Sequence, residues 1–308
     1  MSPRRFASVL PLPKDFVLSP EAAAERYTTA EAEAYTRWLA THHYENFQVV
    51  SFLLPKRLHQ DFYNVYAYCR WADDLGDEMG DRQESLRLLA WWREQLEAMY
   101  AGEAAHPVFV ALRGTVARHS IPQTPFADLI RAFEQDQTVT RYAAWEDVYA
   151  YCRYSANPVG RLVLYLCGYS DAARQRLSDA TCTALQLANF WQDVAVDLEK
   201  DRVYIPLEVL ARHGYSIEDL YSRRMTPAFR EVMREIVARA RELFVEGLPL
   251  SSMVDRRLAL DIDLFSRGGL RVLDKIAGQD YDVLSRRPAI SKAERVWLIL
   301  GSLVRSAL

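Results

Sequence analysis

Two pairs of aspartates, each spaced four residues apart, carry the most distinctive chemistry in this 308-residue chain. Asp73 and Asp77 lie in YAYCRWADDLGDE, residues 66–78, and Asp193 and Asp197 in ALQLANFWQDVAVDLEKDRVYIP, residues 184–206. On a helix, four-residue spacing puts both carboxylates of a pair on one face. Arg70 falls one turn before the first pair and Tyr66 about two turns before it. Asn189 and Gln186 extend the second stripe backwards in the same way. Leu185, Leu187, Ala188, Phe190 and Trp191 cover the other sides of that helix.

A stripe of this kind can be the solvated face of an amphipathic helix, and one pair alone would be read so. Two pairs, each closing an aromatic-rich helix, point to a cation. Like charges at this spacing repel, mildly at a surface and more strongly when buried. Carboxylates without matching His or Cys suit a hard, oxygen-seeking ion, and Mg²⁺ is the usual one beside phosphates. Two facing Mg²⁺–carboxylate clusters over an aromatic cavity would suit an ionising diphosphate. The metal neutralises the leaving group, apolar walls keep water from the carbocation, and ring faces stabilise it.

The elements that must position these residues are helical. Apolar residues recur at three and four along the chain, and alternating strand patterns are scarce. The pattern predicts helices over 29–43, 57–74, 83–101, 106–119, 125–137, 145–168, 171–198, 226–247, 255–278 and 291–305. Breakers separate them, among them Pro55, GDR at 80–82, IPQTP at 121–125, IP at 205–206, TP at 226–227 and RRP at 286–288. Half of the residues are hydrophobic, and no Gly/Ser-rich or Pro-rich linker divides the chain. The expectation is an all-α protein with residues 1–308 in a single domain.

A formal charge of −3 gives no general electrostatic reason to bind nucleic acid. Cys69, Cys152, Cys167 and Cys182 lie in apolar helical segments without a CxxC pair, which predicts buried free thiols in a reducing compartment. Prolines interrupt the apolar run of the N-terminal segment, making it a poor signal peptide. The longest apolar stretches fall well short of the ~20 residues that span a bilayer. A soluble, cytoplasmic protein is expected, with a greasy substrate able to draw it to the inner membrane surface.

The two aspartate-rich segments resemble the paired motifs of the squalene and phytoene synthase family, head-to-head prenyl synthases. YCRYSANPVGRL, residues 151–162, resembles the family's tyrosine-containing segment between them. The resemblance spans residues from about 40 to 280 and implies the all-α isoprenoid-synthase fold, a helical bundle around a central cavity. It also implies that Asp73, Asp77, Asp193 and Asp197, with Asn189, hold Mg²⁺, Asp74 being a weaker member of the first motif. By the same likeness, Arg70 and Arg202 contact a prenyl diphosphate, with Tyr204 nearby. Tyr66 and Tyr151 line the reaction cavity, and Gln186 and Phe47 join the substrate-binding set. The plainer alternative for both tyrosines is a core position with a satisfied hydroxyl.

Departures from the family pattern narrow the activity. Where relatives carry a Ser-x-Ser-Phe phosphate-binding segment, this chain has HHYENF, with Glu45 and Asn46 before Phe47. Many relatives have arginine where Gln192 stands. Both changes remove phosphate-binding capacity, so the site is read as holding one diphosphate rather than two. HYENF, a following PKR segment and NFWQDVAVD resemble the HpnC-type branch of bacterial hopanoid pathways. That implies conversion of presqualene diphosphate to hydroxysqualene, with water capturing the cation, NADPH not required, and a functional link to a presqualene diphosphate synthase. The rival activities are head-to-head condensation of two prenyl diphosphates and, from another class, a non-catalytic assembly factor. The complete carboxylate sets argue against the latter. His42, His43 and Glu45 suit one ion poorly, because adjacent helical residues point about 100° apart; ordering the pocket rim or a water, or simply ending a helix, are the alternatives.

Overall fold

The computed structural model describes residues 27–42 and 55–291, together with Pro13 and Glu294. Among them the architecture is all-α, as the periodicity predicts, and the only β feature is an isolated bridge between Arg141 and Val203. In chain order the helices are α1 (Thr29–His42), α2 (His59–Asp77), α3 (Arg82–Tyr100), α4 (Pro107–His119), α5 (Thr124–Asp136) and α6 (Trp145–Ser155). They continue with α7 (Asn157–Leu166), α8 (Ala172–Glu199), α9 (Leu207–Arg212), α10 (Ile217–Tyr221), α11 (Pro227–Gly247) and α12 (Arg256–Gly278). Most boundaries fall within a few residues of expectation.

Three differences have local causes. The segment expected as one helix over 145–168 breaks at Ala156, because Pro158 has no N–H and its ring opposes the preceding turn. Short helices α9 and α10 fill a stretch expected to be irregular; Pro206 precedes the first, and Ser216 caps the second by accepting the Asp219 N–H at 3.0 Å. Helix α2 runs to Asp77 rather than stopping at 74, which keeps both aspartates of the first pair on helical backbone. The expected helix 291–305 lies outside the described residues except at Ser291 and Glu294.

The helices group into two compact units, one of Met1–Thr138 with Arg161–Ser170 and one of Val139–Gly160 with Asp171–Leu308. In the first, α2 packs with α1, α3, α4 and α5 around an aromatic centre. Trp71 and Trp92 stack with centroids 5.1 Å apart, and His106 meets the Trp71 ring edge-on at 4.4 Å. Two polar handles in this centre are satisfied: Trp71 Nε1 donates to the Tyr35 hydroxyl at 2.9 Å, and the Tyr68 hydroxyl donates to the Phe126 carbonyl at 2.8 Å.

In the second unit, α8 lies against α11 and α12. Close approach depends on Gly247 and Gly269, where a Cβ would run into Thr181 and into the Phe244 ring respectively. The four cysteines are free; Cys152 is buried and the other three are half-buried rather than fully buried as expected. Burial nonetheless pushes the Cys69 and Cys152 thiols up to about 12, so neither is a thiolate near neutrality. No described helix is long and apolar enough to cross a membrane.

Candidate active site

Helix α2 is amphipathic around its acidic end. Phe62, Val65, Tyr68, Trp71, Ala72 and Leu75 are buried in the aromatic core, and this burial fixes the rotation of the helix. Tyr66, Arg70 and Asp73 are therefore half-buried on the opposite side, and Asp77 is exposed. The expected stripe exists. Asp74 is different, being directed inward and only 2 % exposed. Arg70 ties the motif together. Its Nη2 pairs with Asp74 and lies 3.1 Å from Glu78 Oε1, while its Nη1 is 3.5 Å from Asp73 Oδ2. Burial pushes the Asp74 carboxyl up to about 6, with Arg70 opposing that shift.

The second stripe lies on the 28-residue helix α8. Asp171 caps its start by accepting the Arg174 N–H at 3.0 Å. Leu187, Ala188, Phe190, Trp191 and Val194 are buried, whereas Gln186, Asp193 and Asp197 are half-buried and Asn189 is exposed. Asp197 is pushed up to about 7, first by burial and then by the neighbouring Asp193 charge, with Arg202, Lys200 and Arg287 opposing. The predicted repulsion within this pair is thus present.

Beyond α8 the chain turns back through Asp201, a non-glycine residue in the left-handed region at φ 57°. Two side chains hold its carboxylate: Arg141 Nη2 at 2.5 Å and the Tyr221 hydroxyl at 2.6 Å. Backbone bonds from Val203 to Thr140 and from Leu207 to Tyr142, each 2.9 Å, tie the returning chain to the segment before α6. This positions Arg202 and Tyr204. The Arg202 N–H donates to the Asp197 carbonyl at 2.9 Å, and Tyr204 stacks on Phe190 at 3.7 Å with ring planes 2° apart. Tyr151 from α6 and Tyr142 complete the aromatic cluster, 5.8 and 5.7 Å from the Tyr204 ring. Tyr151 is buried in it, so its ring belongs to the wall beside the second stripe.

Two features were not legible in the motifs. Arg287, in the RRP segment read as a helix breaker, makes a two-pronged ion pair with Asp193: Nε to Oδ1, and Nη2 to Oδ2 at 3.1 Å. Gln192 does not face the polar stripe at all. It is buried, and its Nε2 donates to the Pro288 carbonyl at 2.5 Å. Gln192 thus ties the 286–289 segment to α8. A pair separated by 94 residues leaves no periodic signal, although a double arginine after a long amphipathic helix was a usable hint.

Phe47, His43 and Glu45 lie outside the described residues. His42 is exposed at the end of α1 with Nδ1 2.9 Å from the Trp38 carbonyl. Among the described residues no three Asp, Glu, His or Cys side chains converge into a ready-made metal cage. The donors on both helices are oxygen-only, the chemistry that suits Mg²⁺, which is usually held by one or two carboxylates together with waters and substrate phosphates. The charge crowding at Asp197 suits a cation as well.

An all-α fold with two oxygen-rich stripes, one beside an aromatic cluster, fits a class of helical proteins that handle a ligand with an anionic head and an apolar body. Residues 40–294 match the squalene/phytoene synthase family. The hydroxysqualene synthase of Rhodopseudomonas palustris is 35% identical over 267 residues, covering 85% of this chain and 89% of that protein. The phytoene synthase of Thermus thermophilus is 33% identical over 258 residues, covering 83% and 87% respectively. A crystal structure of squalene synthase HpnC from Alicyclobacillus acidocaldarius is 46% identical, with a TM-score of 0.79 over 82% of this chain and 95% of that one. The chain belongs to the squalene/phytoene synthase family, isoprenoid synthases that act on prenyl diphosphates.

Proposed function

We propose that the protein converts presqualene diphosphate to hydroxysqualene. The observation that carries this reading is the stripe Gln186, Asn189, Asp193 and Asp197 set beside the clustered Phe190, Tyr204, Tyr151 and Tyr142 rings. It pairs a place for a charged head with a wall for a cation. The likeness to the Rhodopseudomonas hydroxysqualene synthase supports the choice of product.

Asp73 and Asp77 on α2, and Asn189, Asp193 and Asp197 on α8, would hold Mg²⁺. When bound, Mg²⁺ supplies charge neutralisation for the departing diphosphate. Arg202 and Arg70 hold the diphosphate oxygens by charge-assisted hydrogen bonds. The carbon–oxygen bond breaks with both electrons leaving on the diphosphate, and the cyclopropylcarbinyl cation rearranges. The faces of Tyr151, Tyr204 and Phe190 stabilise the positive charge and exclude bulk water. One water then adds to the cation and loses a proton to the released diphosphate, giving an alcohol. No hydride donor is consumed, so NADPH takes no part. The substrate must come from a separate enzyme that condenses two C15 diphosphates, and so apolar a substrate favours peripheral contact with a membrane.

Head-to-head condensation of two prenyl diphosphates is the second reading, favoured by the likeness to the Thermus phytoene synthase. One experiment separates them. Purified protein with Mg²⁺ is given presqualene diphosphate or farnesyl diphosphate, with and without NADPH, and products are identified by mass spectrometry. Hydroxysqualene from presqualene diphosphate alone is expected. Efficient consumption of farnesyl diphosphate, or squalene formation that requires NADPH, would overturn the proposal.

A further inference from the structure

We propose that Arg287 is a displaceable counter-ion built into the second aspartate stripe, occupying Asp193 until a divalent cation arrives together with a diphosphate-type anion. The inference rests on the reading of Asp193 as a Mg²⁺ ligand and goes beyond it by assigning the competitor. Both carboxylate oxygens of Asp193 are engaged by one guanidinium, Oδ1 by Nε and Oδ2 by Nη2. A cation approaching Asp193 must therefore break a two-pronged ion pair. The pair is not locked in the core: the Arg287 side chain is 52% exposed and that of Asp193 27%.

The backbone around Arg287 is fixed more firmly than its side chain. Gln192, the neighbour of Asp193 on α8, holds the Pro288 carbonyl. Gln279, just past the end of α12, donates from Nε2 to the carbonyls of Asp282 at 2.8 Å and Arg286 at 2.9 Å. The segment is thus pinned on both sides of Arg287, so release of Asp193 is a side-chain swing that leaves the strap in place. Gln192 gains a role here as the residue that keeps Arg287 within reach.

The space beside Arg287 explains why a metal alone is a poor competitor. A cavity of about 530 Å³ is lined by Arg271, Lys275, Arg286 and Arg287, with one carboxylate, Asp274, that is already paired with Arg241 at 2.6 Å. Arg271 and Lys275 already share the Glu294 carboxylate, at 2.7 and 3.0 Å. A guanidinium driven off Asp193 moves among other cations, which opposes its release. An anion arriving with the metal removes that opposition by giving the displaced guanidinium a partner. Arg287 therefore couples the two ligands: free metal binds weakly, and metal with diphosphate binds well.

Direct metal binding tests this without turnover. Mn²⁺, an oxygen-seeking stand-in for Mg²⁺, is titrated into wild type, Arg287→Gln, Arg287→Lys and Gln192→Leu, with free Mn²⁺ read by electron paramagnetic resonance, with and without inorganic pyrophosphate. Without pyrophosphate, Arg287→Gln should bind Mn²⁺ about tenfold more tightly than wild type, the order expected for loss of one partly exposed two-pronged ion pair. Arg287→Lys and Gln192→Leu should fall between, which keeps the test open if one variant folds poorly. Saturating pyrophosphate should close most of the gap. Equal Mn²⁺ affinity in wild type and Arg287→Gln, with binding lost in Asp193→Asn, would overturn the role of Arg287 while leaving Asp193 as a ligand. A gap unchanged by pyrophosphate would overturn the coupling. Absence of Mn²⁺ binding in every variant, with or without pyrophosphate, would overturn the metal reading itself.

Discussion

In α2 the guanidinium beside the aspartates comes from Arg70, one turn earlier on the same helix, whereas in α8 it comes from Arg287, 94 residues further along the chain. The two stripes look alike as motifs and differ as electrostatic objects. Arg70 is 13% exposed and bound into a local network whose tightest member, Asp74, faces the core. Its contacts run to Asp73, Asp74 and Glu78 around the helix end. Arg287 is half-exposed and bound to a single stripe residue, so its pairing can be exchanged. A guanidinium from the same helix turn is built in with the helix; one delivered by a distant strap can be withdrawn.

Removing a carboxylate from either stripe breaks the comparison most severely. Asp73→Ala and Asp193→Ala should each lower turnover by at least about a hundredfold, the scale of losing one main electrostatic contact to a developing charge. EDTA should mimic both, and full activity in EDTA would sink the metal-assisted account. Thermal melting should stay close to wild type for Asp73→Ala, because removing a charge four residues from Asp77 relieves repulsion.

Asp261 supplies a carboxylate with neither kind of partner. It is 3 % exposed on α12, no described hydrogen bond reaches either oxygen, and burial followed by the Asp255 charge pushes it up to about 7. The folded state therefore holds this proton more tightly than the unfolded chain. The stability it supports is fully present below pH ~4 and is lost as pH rises through about 7. Asp261→Asn should remove that slope and stabilise the protein by about 2 kcal/mol above pH 7. Urea unfolding at pH 5 and pH 8 reads it, and parallel pH dependence in variant and wild type would refute it.

Smaller effects sharpen the second stripe. Arg202→Lys should lower kcat/KM about tenfold with little change in melting temperature, since lysine keeps the charge but loses the planar fork. An unchanged kcat/KM would remove Arg202 from the diphosphate site. Arg141→Met frees the Asp201 carboxylate from one of its two holders, and should cost about 1 kcal/mol of stability. It should also reduce kcat/KM modestly through Arg202 and Tyr204; equal stability by urea unfolding would show that the Asp201 turn holds without it.

What could be read from residues alone follows the range of the interaction. The 3.6-residue period marked α2 and α8 because one face of each is packed against a core, and the four-residue spacing placed each aspartate pair on the other face. The inward turn of Asp74 was within the same pattern, one position off the stripe. The break at Ala156 was signalled by Pro158 but outweighed by the surrounding apolar period. Gln192 was read as a missing phosphate contact, and its burial against Pro288 was not anticipated. Neither that contact nor the Arg287 pair could be seen, because each depends on where the strap after α12 lands. The same holds for Arg141 and Tyr221 on Asp201, joined across 60 and 20 residues.

The source of the product oxygen tests the central claim most directly. Presqualene diphosphate is turned over in ¹⁸O-labelled water with Mg²⁺ and no reductant, and the product is weighed by mass spectrometry. Capture of the cation by water beside the Phe190–Tyr204 wall requires an alcohol two mass units heavier than that formed in ordinary water, with NADPH making no difference. An alcohol without the label, or squalene appearing only with NADPH, would contradict the account.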